Sequence, residues 1–228
     1  MRLCVPSYLV PGTWLENLEA MRDEVWIEGV ELLFFAWDRD AQEILAREGE
    51  GIAALSSRFD FSLHLPDRLG PEALSLVEAT ESCVSSYIAH PPPSADDAGA
   101  WARLLGAWRE RFGDRFLLEY TGATAFARGE EALPGLPLCA DTGKLLVEGI
   151  EPSAWIGPRS GRIGEVHLHG AEAGRDHRPF GAAAPWLRRL LPFLVGFEGR
   201  VNIEVFELEA ARSAALALAA ALAGRGGP

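Results

Sequence analysis

The sequence predicts a (β/α)8 barrel, an α/β fold in which eight parallel strands alternate with helices. Three observations carry that expectation. Eight short apolar runs recur along the 228 residues, each separated from the next by a mostly amphipathic segment. The connections from each run into the helix that follows are short, and no Gly-rich phosphate fingerprint follows the first run, as it would in a dinucleotide-binding open sheet. A chain of this length with 48% hydrophobic residues can bury one large core, so a single domain spanning residues 1–228 is expected.

Taken in order, Leu3 to Tyr8 is the first run, stopped by Pro11-Gly12. Thr13 then offers a helix cap with Glu16 three residues on, the spacing of a capping box. Glu28 to Phe35 is the second run, and from Asp38 a helix is expected because Ala41, Ile44, Leu45, Ile52 and Leu55 share one face. Phe59 to Leu65 is the third, ending near His64 with Pro66 as terminator, and Gly70-Pro71 opens a helix through Leu76. Cys83 to Ala89 is the fourth, followed by His90 and the stop Pro91-Pro92-Pro93.

The second half repeats the rhythm. Trp101, Leu104, Leu105 and Trp108 mark one helix face that leads to Arg115 to Tyr120, the fifth run, which carries Glu119. Gly122 to Gly135 holds several glycines, which predicts that one barrel helix is short or missing. Leu136 to Ala140, ending at Asp141, is the sixth run, Glu165 to His169 the seventh, and Val201 to Phe206, with Glu204, the eighth. Glu207 to Ala223 is a strong helix former that would close the ring, and Gly224 to Pro228 is expected to fray.

Charge and composition exclude several roles. A net charge of -12 without a Lys/Arg run argues against a nucleic-acid binder, which needs a basic stripe to neutralise phosphates. Cys4, Cys83 and Cys139 are odd in number and lack metal-type spacing, so they read as reduced core residues of a cytoplasmic protein. No export signal and no run near the length of a membrane span is visible, and the oligomeric state is left open.

The chemistry concentrates between Ile163 and Gly181, a stretch with three of the five histidines. Alternation sends His167 and His169 to the same side of a strand, and a polar loop then delivers Asp176 and His177. Neutral imidazoles with carboxylates are the usual ligands of zinc or manganese. Across the chain, His64, His90, Glu119, Asp141, His167 and Glu204 fall at or near the ends of six consecutive strands, which share one mouth in a barrel. So many buried ionisable groups need a compensating cation. Each also has an ordinary reading: Glu119 could pair with Arg115, Asp141 could cap a helix near Thr142, and His90 could be a loop histidine.

The set resembles the xylose-isomerase-like barrels of the apurinic-endonuclease type 2 and sugar-phosphate isomerase/epimerase superfamily. That resemblance implies a metal centre of Glu119 (L-L-E-Y), Asp141 (C-A-D-T-G-K), His167 (V-H-L-H-G) and Glu204 (N-I-E-V-F). His64, His90 and the pair Asp176 and His177 are similar to the added ligands of members with two or three metals. Within the superfamily, P-S-Y-L-V-P-G-T-W-L-E-N, G-V-E-L-L-F-F, H-L-H-G followed by G-R-D-H-R, and I-E-V-F look closest to the cobamide-remodelling phosphodiesterases called CbiR. Two positions depart from the pattern. Ala36 stands where relatives often have glutamate, and Lys144 ends a D-T-G-K in place of D-x-G-H. The expectation is therefore one secure metal on the four core ligands and a second near His64 and His90, without a third.

The resemblance implies hydrolysis of the phosphodiester in the nucleotide loop of a cobamide, a small-molecule substrate. Lys144, Arg175 or Arg178 would receive the phosphate, His177 would act as general acid or as a ligand, and Tyr8, Trp37 and Tyr120 either pack on a flat substrate or, as is more common in this fold, belong to the core. The alternative is a sugar phosphate isomerase/epimerase that uses the same metal, with Glu119 and Glu204 as paired acid and base. A third reading is a barrel that has lost catalysis and only binds. The acidic chain makes an apurinic endonuclease the least suited of the family's activities.

Overall fold

The apolar runs become strands buried on both faces, as parallel strands between a packed interior and a helical shell must be. In the computed structural model, which describes residues 1–224, these are β1 (Arg2–Pro6), β2 (Gly29–Leu33), β3 (Asp60–His64), β4 (Val84–Ala89), β5 (Phe116–Glu119), β6 (Leu138–Asp141) and β7 (Ile163–His167). A hairpin of β8 (Gly170–Glu172) and β9 (Arg175–Arg178) precedes the last barrel strand, β10 (Arg200–Asn202). Strands pair in parallel in the order β1-β10-β7-β6-β5-β4-β3-β2, and the ring closes. The fold is thus the (β/α)8 barrel that the alternation predicts.

The shell contains α1 (Trp14–Met21), α2 (Arg39–Ala54), α3 (Leu74–Thr80), α4 (Ala95–Phe112), α5 (Ala123–Ala132), α6 (Thr142–Val147), α7 (Pro152–Ile156), α8 (Pro185–Gly196) and α9 (Leu208–Ala223). Thr13 and Glu16 form the expected capping box at α1. The helix expected to be short or missing after the fifth strand is present, as the ten residues of α5. Its glycines do not dissolve it because Gly129 has a packing role: a Cβ there would meet Leu118 Cδ1 at 2.9 Å. Gly224 caps α9; the remainder of the tail expected to fray, residues 225–228, lies outside the described residues.

The main core fills the space between sheet and helices, with Leu32, Leu63, Tyr87, Phe116 and Val166 almost wholly buried. Side chains of the opposite parity make a different interior. A small cluster of Ile88, Leu117 and Cys139 shares it with buried Glu31, Ser62, Glu165, His167, Arg200 and Asn202. Ser62 donates to Glu165 Oε1 at 3.0 Å, Arg200 pairs with Asp60 at 2.6 Å, and the Asn202 amide donates to Glu31. Burial, and then the neighbouring Glu31 charge, push the Glu165 carboxyl up to about 7.

Strand ends differ from expectation in two places that matter. The last barrel strand stops at Asn202, so Glu204 lies two residues beyond it, and β7 stops at His167, so His169 belongs to the connection into the hairpin. Cys4 and Cys139 are buried free thiols, and Cys83 is a half-buried one. Among the described residues no helix is long and apolar enough to cross a membrane.

Candidate metal centre

The C-terminal ends of the barrel strands bring His64, Glu119, Asp141, His167 and Glu204 to one mouth, all nearly or wholly buried. The loops after β4 and β7 add His90 and His169, and β9 adds His177. A cavity of about 400 Å³ opens above them.

Hydrogen-bond partners assign the imidazole tautomers, since a carbonyl only accepts and an amide N–H only donates. His64 Nδ1 lies 2.8 Å from the Leu65 carbonyl and carries a proton, which turns Nε2 towards Glu119 Oε2 at 3.2 Å. His167 places Nε2 3.2 Å from Glu31 Oε2, so that Nδ1 faces Glu119 Oε1 at 3.4 Å and Glu204 Oε2 at 3.2 Å. His90 reaches Glu119 Oε2 with Nε2 at 3.1 Å and Asp67 with Nδ1 at 3.4 Å. His177 Nδ1 donates to the Glu204 carbonyl at 3.2 Å, leaving Nε2 unprotonated in the neutral ring.

His169 is the opposite case. Its Nδ1 accepts the His177 backbone N–H at 2.9 Å, so the neutral ring carries its proton on Nε2, which faces Asp141 Oδ1 at 3.0 Å and Glu204 Oε2 at 3.3 Å. Burial alone would lower its pKa, but Asp141 and Glu204 outweigh burial and push it up to about 10. A second proton would sit on Nδ1, between the His177 amide and the Gly170 carbonyl at 3.4 Å. His169 thereby turns Nε2 towards two carboxylates at ion-pair distance without a hydrogen bond of good geometry. Gly143 makes room for it: a Cβ at that position would overlap the His169 ring.

The remaining atoms fit a cation. Asp141 Oδ2, His167 Nδ1 and Glu204 Oε2 are buried and make no hydrogen bond among the described residues, a cost that a divalent ion would remove. Donor atoms of Glu119, Asp141 and His167 lie within 4.8 Å of one another, and so do those of His64, Asp67 and His90. Without an ion, a proton takes its place. Burial lowers the His64 pKa, yet the hydrogen bond and charge of Glu119 outweigh it and raise it to about 9. Burial would raise Glu119 and Glu204, but facing histidines hold both well below the carboxylate range.

The other expected residues divide. Asp141 does cap α6, with Oδ1 accepting from the Lys144 amide at 2.8 Å, and keeps Oδ2 for the cavity. The Lys144 ammonium lines the cavity and is paired with Asp176, so Asp176 already has a cation. Arg175 and Arg178 line a neighbouring surface depression with Pro179 and Glu207, not the cavity of the centre. Glu119 does not pair with Arg115, which donates instead to the Glu81 and Ser85 carbonyls. Tyr8 stands exposed at the rim, whereas Tyr120 is core, bonded through its hydroxyl to Glu148, and Trp37 donates to Ser75. The residues that sequence reasoning passed over are Glu31, Asp67 and the placing of His169 against Asp141 and Glu204. Alternation already puts Glu31 on the interior face with Leu33, but its partner His167 is far away in sequence.

No family model and no curated protein matches the sequence. Solved structures match along the whole chain. A D-tagatose 3-epimerase-like protein superposes with a TM-score of 0.75 at 15% identity over 98% of this chain and 97% of the other. An L-ribulose 3-epimerase gives 0.68 at 17% over 100% and 99%. Endonuclease IV from Thermus thermophilus gives 0.56 at 15% over 98% of both. The fold they share with this chain is the (β/α)8 barrel. At such identities the likeness concerns the fold, and the chemistry has to come from the centre itself.

Proposed function

We propose that this chain is a metal-dependent enzyme that hydrolyses a phosphodiester in a small molecule of the cobamide class. The observation that carries the reading is Glu119. Its Oε1 faces His167 while its Oε2 faces both His64 and His90, so that it stands between two groups of candidate ligands. A second cation beside the first suits displacement at phosphorus, where the attacking and the leaving oxygen both carry charge. Divalent zinc or manganese held there supplies Lewis acidity and lowers the pKa of coordinated water towards neutrality.

The residues take distinct parts. Glu119, Asp141, His167 and Glu204 would hold the first ion, with His167 presenting Nδ1 because its other nitrogen faces Glu31 at 3.2 Å. His64 and His90, with Asp67 behind His90, face Glu119 Oε2 and would hold a second. The Lys144 ammonium, shared with Asp176, offers positive charge to a phosphoryl oxygen in the cavity. His177, anchored through Nδ1 to the Glu204 carbonyl, is placed to give a proton from Nε2 to the departing oxygen. The products are the lower-ligand nucleoside and a corrinoid phosphate. Incubating the metal-loaded protein with a cobamide and measuring product masses tests the reading; intact cobamide with every metal tried would refute it.

The solved structures favour a second reading, sugar isomerase or epimerase, and support it better than phosphodiester hydrolysis. D-tagatose, L-ribulose and 3-keto-D-glucoside epimerases share the fold. Here Glu119 and Glu204 would exchange the proton on either side of an enediolate, and conversion of a keto-sugar without phosphate chemistry would establish it. Either way the proposed substrate is a small molecule and the proposed compartment the cytoplasm.

A further inference from the structure

We infer that a chamber walled by Tyr8, Trp14, Phe35 and Ile44 is a second subsite beside the metal centre, and that it takes a planar, uncharged heteroaromatic group of the substrate. The inference rests on the phosphodiesterase reading for the bond that breaks, and adds what lies on one side of that bond. The chamber, of about 260 Å³, opens between the loop after β1, the loop after β2 and helix α2. Tyr8 and Phe35 also line the cavity over His64, Glu119 and Glu204. Chamber and centre therefore share a wall.

Apart from the exposed Tyr8 hydroxyl, the polar side chains of that wall are already engaged. The Ser7 hydroxyl accepts the Leu33 amide at 3.0 Å, the Trp14 indole donates to the Leu33 carbonyl at 2.8 Å, and the Thr13 hydroxyl caps α1. None of the lining side chains is charged. A sugar or an anion would lose its hydration there and find little in return, whereas carbon and ring faces suit an aromatic group. Trp14 is fixed by stacking on Phe34 at 4.1 Å, and Phe35 sits edge-on to His64 at 5.3 Å. Yet Tyr8 and Phe35 are 54% and 48% exposed, apolar surface that a ligand would cover. The volume selects further: it falls below the roughly 300 Å³ at which pockets begin to hold drug-sized ligands, so one fused ring system fits and a macrocycle does not. In a cobamide this assigns the chamber to the base of the departing nucleoside.

The test uses the full chain loaded with metal and benzimidazole as probe, with binding read by ligand-observed NMR. Ile44→Trp fills the chamber from α2, and Tyr8→Ala removes an exposed wall whose loss the fold tolerates. Benzimidazole should bind wild type, weaken about tenfold in Ile44→Trp and severalfold in Tyr8→Ala, with bound metal unchanged in both. In parallel, a phosphodiester bearing a benzimidazole nucleoside and the same diester without the base are compared; the ratio of their kcat/KM should fall in Ile44→Trp. Absence of binding to wild type, or equal binding to all three proteins, overturns the subsite. Equal kcat/KM for the two diesters also overturns it while leaving hydrolysis standing. Chamber-dependent binding without cleavage of either diester upholds the subsite and overturns the phosphodiesterase reading.

Discussion

Replacing His169 separates a ligand from a positioning residue. If His169 only turns Nε2–H towards Asp141 and Glu204, His169→Ala removes the N–H that faces two carboxylates and leaves the half-buried His177 amide without its acceptor. Losing a group that orients metal ligands costs typically 10- to 100-fold in metal affinity, about 1.4 to 2.8 kcal/mol. Deleting a ligand such as His167 should cost more, bringing bound metal well under one equivalent. Zinc competition against a chromophoric chelator measures both variants, and long-range proton–nitrogen NMR on the metal-loaded wild type reports which His169 nitrogen carries hydrogen. The expected result is a weakened but saturable site in His169→Ala, together with a His169 Nε2–H resonance in wild type. Loss of all metal from His169→Ala, or a metal-shifted Nε2, would refute the tautomer argument.

Further outcomes follow from the same geometry. Glu204→Gln and His167→Ala should each abolish turnover along with metal content, measured by elemental analysis; near-normal metal in both would remove them from the centre. His64→Ala or His90→Ala should lower activity by at least tenfold while one tightly held ion remains, and loss of every ion would reverse the order of the two sites. Lys144→Ala should cut the rate on a phosphodiester roughly 100-fold or more with metal unchanged, whereas Lys144→His should take up additional metal; unchanged rate and metal in both would place Lys144 outside the reaction. Raising pH should strengthen zinc binding until about 9, because metal must displace the proton that the raised pKa of His64 retains. The same shift works on the metal-free fold with a definite sign: its stabilisation is complete below the unfolded histidine pKa near 6.5 and is lost as pH rises through about 9, on the order of 3 kcal/mol. Chemical denaturation of the metal-free protein from pH 6 to 10 measures that loss, and a flat profile would contradict it.

The barrel could be read from sequence because each apolar run is long enough to be a strand and is bounded by residues that stop one, such as Pro11-Gly12, Pro66 and Pro91-Pro92-Pro93. Period-two alternation then orients side chains before any contact is known, which is how His64, Glu119 and His167 could be placed at one mouth. Gly122 to Gly135 misled because propensity sees only the chain: Gly129 weakens a helix in isolation but lets α5 approach Leu118, and tertiary packing outweighs the intrinsic cost of about 1 kcal/mol. The division of labour between His167 and His169 was hidden for a related reason. They lie two residues apart and are equally buried, and what distinguishes them is a carboxylate from β2 against one ring and a backbone amide from β9 against the other. Neither partner is encoded near V-H-L-H-G. The residue type specifies that an imidazole is present, and the distant partner decides which nitrogen is left for a cation.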